Sequence, residues 1–103
     1  MSIIKISTVR RFWTKHADAE KELRAWIRIT AAARWASPAA VKRQFGARVD
    51  FVKVASGNTV VVFEIANNRY RMIVAVHYDF PRVFVLRIFD HGEYDENKWK
   101  EEL

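Results

Sequence analysis

Val60-Val61-Val62-Phe63-Glu64-Ile65-Ala66-Asn67-Asn68-Arg69-Tyr70-Arg71-Met72-Ile73-Val74-Ala75-Val76-His77-Tyr78, resumed after a turn as Val83-Phe84-Val85-Leu86-Arg87-Ile88-Phe89, is the stretch that decides the fold. It is dense in β-branched and aromatic residues. It is broken only at Ala66-Asn67-Asn68 and at Asp79 to Arg82, the punctuation of strands joined by short turns. Three runs, Thr59 to Ile65, Tyr70 to Tyr78 and Val83 to Phe89, predict an antiparallel meander. Outward from it, Ser56-Gly57-Asn58 signals a turn and Asp50 to Val54 a further strand.

The first half of the chain has helical spacing. Ser37-Pro38 starts a short helix through Phe45, because serine caps it and proline at the first helical position gives up an amide that would have no partner; Gly46 ends it. Upstream, Asp18 is expected to cap a longer helix, in which Leu23, Trp26, Ile27, Thr30 and Ala31 form one buried stripe. Ser2 to Ile6 reads as an edge strand, Ser7 or Thr8 as the cap of a helix through Lys15, and His16 to Asp18 as the break between two helices forming a hairpin. Lys21, Arg24 and Arg28 fall on another face of the second helix as a basic ridge. Trp13, Trp26 and Trp35 are assigned to packing, on a face that also suits a partner segment. The expected class is α+β: an N-terminal helical hairpin packed on a small curled antiparallel sheet, with a short C-terminal helix.

With 103 residues the chain suits one domain, 1–103, with one modest core. No apolar run approaches a membrane span, and Met1 to Ile6 lacks a signal-peptide core, so the expected location is cytoplasmic with no membrane partner. The absence of cysteine removes disulfides, thiolate nucleophiles and thiolate-bound zinc. His16, His77 and His91 without clustered carboxylates argue against a metal site. A net charge of +6 points to a polyanionic partner. The excess lies in the body, +8 through Tyr94, whereas Asp95 to Leu103 carries −2 and reads as a solvated terminal helix.

Between Val60 and Asp95, Arg69, Arg71, Arg87, His91 and Tyr94 occur close together. Cations, an imidazole and a phenol are groups that phosphodiester cleavage can use without a metal, so a small RNA-cutting site is expected here.

Longer strings sharpen this expectation. Asp18-Ala19-Glu20, Leu23-Arg24-Ala25-Trp26, Trp35, Ser37-Pro38-Ala39-Ala40-Val41-Lys42 and Phe45 resemble the start of HigB-type toxins of bacterial toxin–antitoxin pairs, in the RelE-like superfamily. Val61-Val62-Phe63, Asn68-Arg69-Tyr70-Arg71 and His91-Gly92-Glu93-Tyr94-Asp95 resemble that family's second half, in the same order. The resemblance implies a RelE-like fold and a ribosome-associated mRNA endonuclease needing no metal or cofactor, held in check by a HigA-like helix-turn-helix antitoxin. Asp90 and Glu64 depart from the family's usual Thr and Asn, placing acid beside a site meant for phosphate.

By that resemblance Arg71 is the phosphate clamp, its guanidinium offering a fixed fork of donors. Arg87 interrupts an apolar strand and must pair, reach an edge or act, which makes it a second clamp or a partner for Glu64 or Asp90. His91 is the general acid or base. Tyr94, three residues on, stacks on a base, binds the phosphate or packs the last helix. Asn68 serves the turn first and substrate second; Arg69 and Lys53 are further RNA contacts, and Glu64 an alternative base. A non-catalytic basic module, or a degenerate toxin kept for its antitoxin, are the rival expectations.

Overall fold

The computed structural model describes residues 1–103. In chain order it comprises β1 (Ser2–Ile4), α1 (Ile6–Lys15), α2 (Glu20–Ala32), α3 (Pro38–Phe45), β2 (Val49–Lys53), β3 (Thr59–Ile65), β4 (Tyr70–His77), β5 (Arg82–Asp90), α4 (His91–Asp95) and α5 (Lys98–Glu102), with 3-10 turns at Ala17–Ala19 and Gly46–Arg48. The strands form one sheet in the order β1-β5-β4-β3-β2.

The meander β2 to β5 is antiparallel as expected, and its boundaries fall within one residue of those predicted. β1 is an edge strand but runs parallel to β5, Ser2 opposite Arg82 and Ile4 opposite Phe84, so the sheet is mixed. Helices α1 to α3 carry the chain from β1 at one edge to β2 at the other, and the meander β2 to β5 brings it back beside β1.

Alternation sorts the strand residues onto two faces. Val49, Val61, Phe63, Ile65, Met72, Val74, Val83 and Val85 pack against Val9, Leu23, Trp26, Trp35 and Val41 of the helical half, forming the main core. Aromatic edges lock this layer: Trp26 meets Phe63 at 5.6 Å and Phe45 meets Phe63 at 4.8 Å, both near perpendicular. On the opposite face Val54, Val60, Val62 and Ile73 pack around Trp99 of α5. Because both faces are covered, β3 and β4 read as nearly unbroken apolar runs.

Helix ends differ from expectation in two places. α1 begins at Ile6, after Lys5 in a left-handed conformation (φ 68°), and neither Ser7 nor Thr8 caps it. α2 begins at Glu20 without a side-chain cap; Asp18 lies in the preceding 3-10 turn and uses its carboxylate elsewhere. α3 follows its prediction, with Ser37 accepting from the Ala40 amide at 3.4 Å and Gly46 at φ 63°. Along α2, Leu23, Trp26 and Thr30 are buried and Ile27 is partly so, but Ala31 is exposed, which narrows the stripe. Trp26 and Trp35 belong to the core, whereas Trp13 stays partly open beneath the Arg24 guanidinium, 4.7 Å from its ring.

Candidate active site

Of the polar groups singled out in the sequence, Asn68, Arg71, Arg87, His91 and Tyr94 belong to the end where β4 begins and β5 gives way to α4, and Arg71 and Arg87 lie on the face opposite α1 to α3. Arg71 stands opposite Phe89, and Glu64 opposite Arg71, so the three share this face with Ile73. Arg87 reaches it by a β-bulge. Ile73 lies opposite Arg87 while Val74 lies opposite Val85, which leaves Leu86 as the extra residue. Uninterrupted alternation from Val83 and Val85 would have turned Arg87 toward the buried helical layer.

Arg71 is 8% exposed and heavily engaged. Nη1 donates to the Asn68 and Tyr70 carbonyls at 3.1 and 3.2 Å, Nη2 donates to the Asn68 side-chain carbonyl, and Nη2 lies 3.7 Å from Glu64 Oε1. Its guanidinium carbon sits 5.3 Å from the centroid of the Tyr94 ring. Glu64, expected among the partners of Arg87, thus belongs to Arg71. Arg87 is more open, donating to the Leu86 carbonyl at 2.9 Å and lying 3.8 Å from Glu102.

Asn68 accounts for much of this order. Ala66, Asn67 and Asn68 all have positive φ (55°, 53° and 71°), a run in which asparagine is the tolerated residue and alanine the costly one. The loop is tied down from α2, where the Glu22 carboxylate accepts from the Ala66 amide. In this conformation both Asn68 oxygens meet Arg71, so the residue shapes the site through the arginine.

β5 ends at Asp90, whose carboxylate accepts from the Glu93 amide at 2.8 Å and caps α4. The acid that departs from the family's Thr therefore still does a cap's work and pairs with neither arginine. His91 opens α4; its backbone amide donates to the Arg69 carbonyl at 2.9 Å, fastening the helix to the β3–β4 turn. Its imidazole is partly exposed, and Nδ1 lies 2.7 Å from Asp95 Oδ2 one turn on. With Nδ1 donating to that carboxylate, Nε2 is the nitrogen left for other partners.

Tyr94 stacks on Trp99 at 5.2 Å and meets Phe89 edge-on at 6.3 Å. Burial, above all, raises its phenol above the ordinary tyrosine value, with Asp50 and Asp95 adding to the shift and Arg71 opposing it. At neutral pH it is therefore a neutral hydroxyl.

Two expected contacts lie elsewhere. Arg69 precedes β4 and turns to the helical side, where it donates to Asp18 at 2.9 Å; the same carboxylate accepts from the Tyr70 hydroxyl at 2.7 Å. Arg69 does not share the face of Arg71, because the left-handed turn ends the strand alternation before Tyr70. Lys53 stands opposite Thr59, out of phase with Val52 and Val60, so it faces away from the site at the far end of β2.

Asp95, which orients His91, and Trp99, which backs Tyr94, were not singled out as site residues. An acid four residues after the histidine was the available signal. No group of three or more histidine and carboxylate side chains is placed to hold a metal ion, and no helix is long and apolar enough to cross a membrane.

A helix-backed sheet carrying two arginines, a carboxylate-oriented histidine and a tyrosine at the end of its last strands defines a RelE-like toxin scaffold. Residues 19–97 match the family model described as HigB_toxin, RelE-like toxic component of a toxin-antitoxin system, and the chain belongs to that family. It is accordingly the toxic member of such a pair, with an antitoxin as partner. No curated protein matches the chain.

Proposed function

We propose that the chain is a single-domain, metal-independent endoribonuclease that cleaves mRNA on the ribosome, its antitoxin being of the HigA-like helix-turn-helix kind. The observation that carries this reading is the contact of Arg71 with Tyr94, 5.3 Å from guanidinium carbon to ring centroid, with Arg87 on the same face as Arg71 and the His91–Asp95 pair on α4, the helix that carries Tyr94.

Cleavage of this kind begins when a 2′-hydroxyl attacks the neighbouring phosphorus, and it ends in a 2′,3′-cyclic phosphate and a free 5′-hydroxyl. His91 Nε2 moves a proton, either from the attacking oxygen or to the leaving one, while Asp95 holds the ring through Nδ1. Arg87, the more open cation, meets the phosphate oxygens directly, and Arg71 supplies fixed positive charge beneath Tyr94. The neutral Tyr94 hydroxyl donates to the phosphate or orients a base. Asn68 serves the substrate by holding Arg71.

Brief induction should arrest growth and create new 5′ ends inside coding regions. His91→Ala should lower cleavage by about 10²- to 10⁴-fold, and Arg71→Ala should abolish detectable cutting. Asp95→Asn should cost less than His91→Ala, since it removes orientation alone. Equal toxicity of these variants at equal abundance would reject the site. The engagement of Arg71 by Asn68 and Glu64 favours one second reading, a toxin retained for antitoxin binding. The same mapping decides it, because such a chain makes no new ends.

A further inference from the structure

Beyond Arg87, the same face of β5 continues toward the start of the strand, past Leu86, which packs against the cluster around Trp99. Trp99 packs toward Val54, Val60, Val62 and Ile73, on the β2–β3–β4 side of that face. The outward residues of β5 there are Phe84, opposite Ala75, and Arg82, opposite His77, while Val83 between them and Val85 next to Phe84 are buried against the helices. Arg82 is exposed and Phe84 partly so. The rings of His77 and Phe84 lie 5.1 Å apart, tilted by 58°. At the tip of the β4–β5 turn Phe80 is 69% exposed, the one large hydrophobic residue so displayed.

This strip alternates cations with flat rings. Arg82 and Arg87 are about 15 Å apart along the strand, with Phe84 between them, and Asp79 is the sole acid from His77 to Arg87. A recess of about 380 Å³ lies alongside, bounded in part by Val60, Ala75, His77, Leu86 and Leu103. Leu86 is the bulge residue beside Arg87, so the recess and the candidate active site share a wall. Protein interfaces are themselves enriched in arginine and aromatic residues, so the choice rests on charge: one acid against two arginines in this stretch, on a body of net +8, favours a polyanion. Guanidinium groups spaced for phosphates, with rings between them for base faces, suit a single-stranded polyanion.

We propose that Arg82, Phe84 and Phe80, with His77, form a single-stranded RNA path continuing from the cleavage site, Arg82 neutralising a phosphate and the rings stacking on bases. The substrate class rests on the ribonuclease reading above, but the binding it requires does not depend on cleavage.

The test uses the purified chain and a short fluorescein-labelled 2′-O-methyl oligonucleotide, in which the attacking hydroxyl is blocked. Anisotropy titrations should show Phe80→Ala and Phe84→Leu each binding roughly tenfold more weakly than the parent. Arg82→Ala should lessen the salt dependence by about 0.7 in log–log slope. Phe80 is exposed, so its variant reads binding without a folding defect, and thermal melts check the other two. If the parent cuts transcripts while the strip variants bind and cut as it does, the path is overturned and the ribonuclease reading survives. If the parent makes no new transcript ends yet its binding depends on the strip, the ribonuclease reading falls and the path stands. A parent that leaves the oligonucleotide free, or variants that lose the antitoxin and keep RNA, also overturns the path.

Discussion

Glu64 lies 3.7 Å from the Arg71 guanidinium and competes with any phosphate for it. Glu64→Gln removes the competing charge while keeping the shape, so cleavage of mRNA on ribosomes supplied with the purified protein should rise, by roughly threefold to tenfold if the carboxylate opposes substrate by about 1 kcal/mol. A fall in rate would instead make Glu64 part of the proton-transfer machinery. At the other side of the sheet, the Thr30 hydroxyl is buried in α2 without a partner, as is the Trp26 indole N–H. Thr30→Val keeps the shape and removes an unsatisfied polar group, so urea denaturation should show a gain of about 1–2 kcal/mol. The residue types were legible in the sequence, and the partners were not. Asp18 was assigned to a helix cap and instead receives Arg69 and Tyr70 from across the fold, a contact spanning more than fifty positions that no local rule reports.

The strands and α3 were legible because each carries its own punctuation. Asn and Gly residues mark the turns, and Ser37-Pro38 marks the helix start. α1 and α2 start where a left-handed residue or a 3-10 turn changes the direction of the chain, without a capping side chain to betray the boundary. α5 was expected as a solvated helix, yet its Trp99 is 2% exposed and organises the second apolar cluster. Its indole N–H donates to the Tyr94 carbonyl at 3.0 Å, so α5 fixes α4 and through it the position of Tyr94. Trp99→Ala should therefore cost about 3–5 kcal/mol in denaturant unfolding. The ring-stacking contribution to the Tyr94 near-ultraviolet signal should be lost as well. A variant with unchanged stability would mean that α5 is only loosely seated.

For the whole molecule, the shifted groups set the pH range of stability. Hydrogen bonds from Tyr70 and Arg69 hold the Asp18 carboxyl below its ordinary value of 3.8, so its contribution is complete above that pH and is lost as the pH falls through the lower folded value. Tyr70, bonded to Asp18, and the partly buried Tyr78 and Tyr94 are held above 10.0, so their contributions are complete below that pH and vanish as it rises through the folded values. Urea midpoints should stay flat with respect to these groups between about pH 5 and 9 and fall on either side. Asp18→Asn should flatten the acid limb; an unchanged limb would show that the Asp18 cluster is not a stabilising contact. On the proposed function, the body charge of +8 through Tyr94 should make binding to RNA weaken as salt increases.

What the sequence determined by itself is what depends on near neighbours along the chain: the meander and its turns, the capped α3, the basic excess, and the ordered set of strings that resembles a toxin family. Tertiary structure alone decided which side chains meet. One bulged residue, Leu86, moved Arg87 to the open face, and three left-handed residues parted Arg69 from Arg71. A single parallel pairing carried β1 across the fold to the edge beside β5. Periodicity reports the face of a residue only while the period is unbroken, and the candidate site is built where turns and a bulge break it.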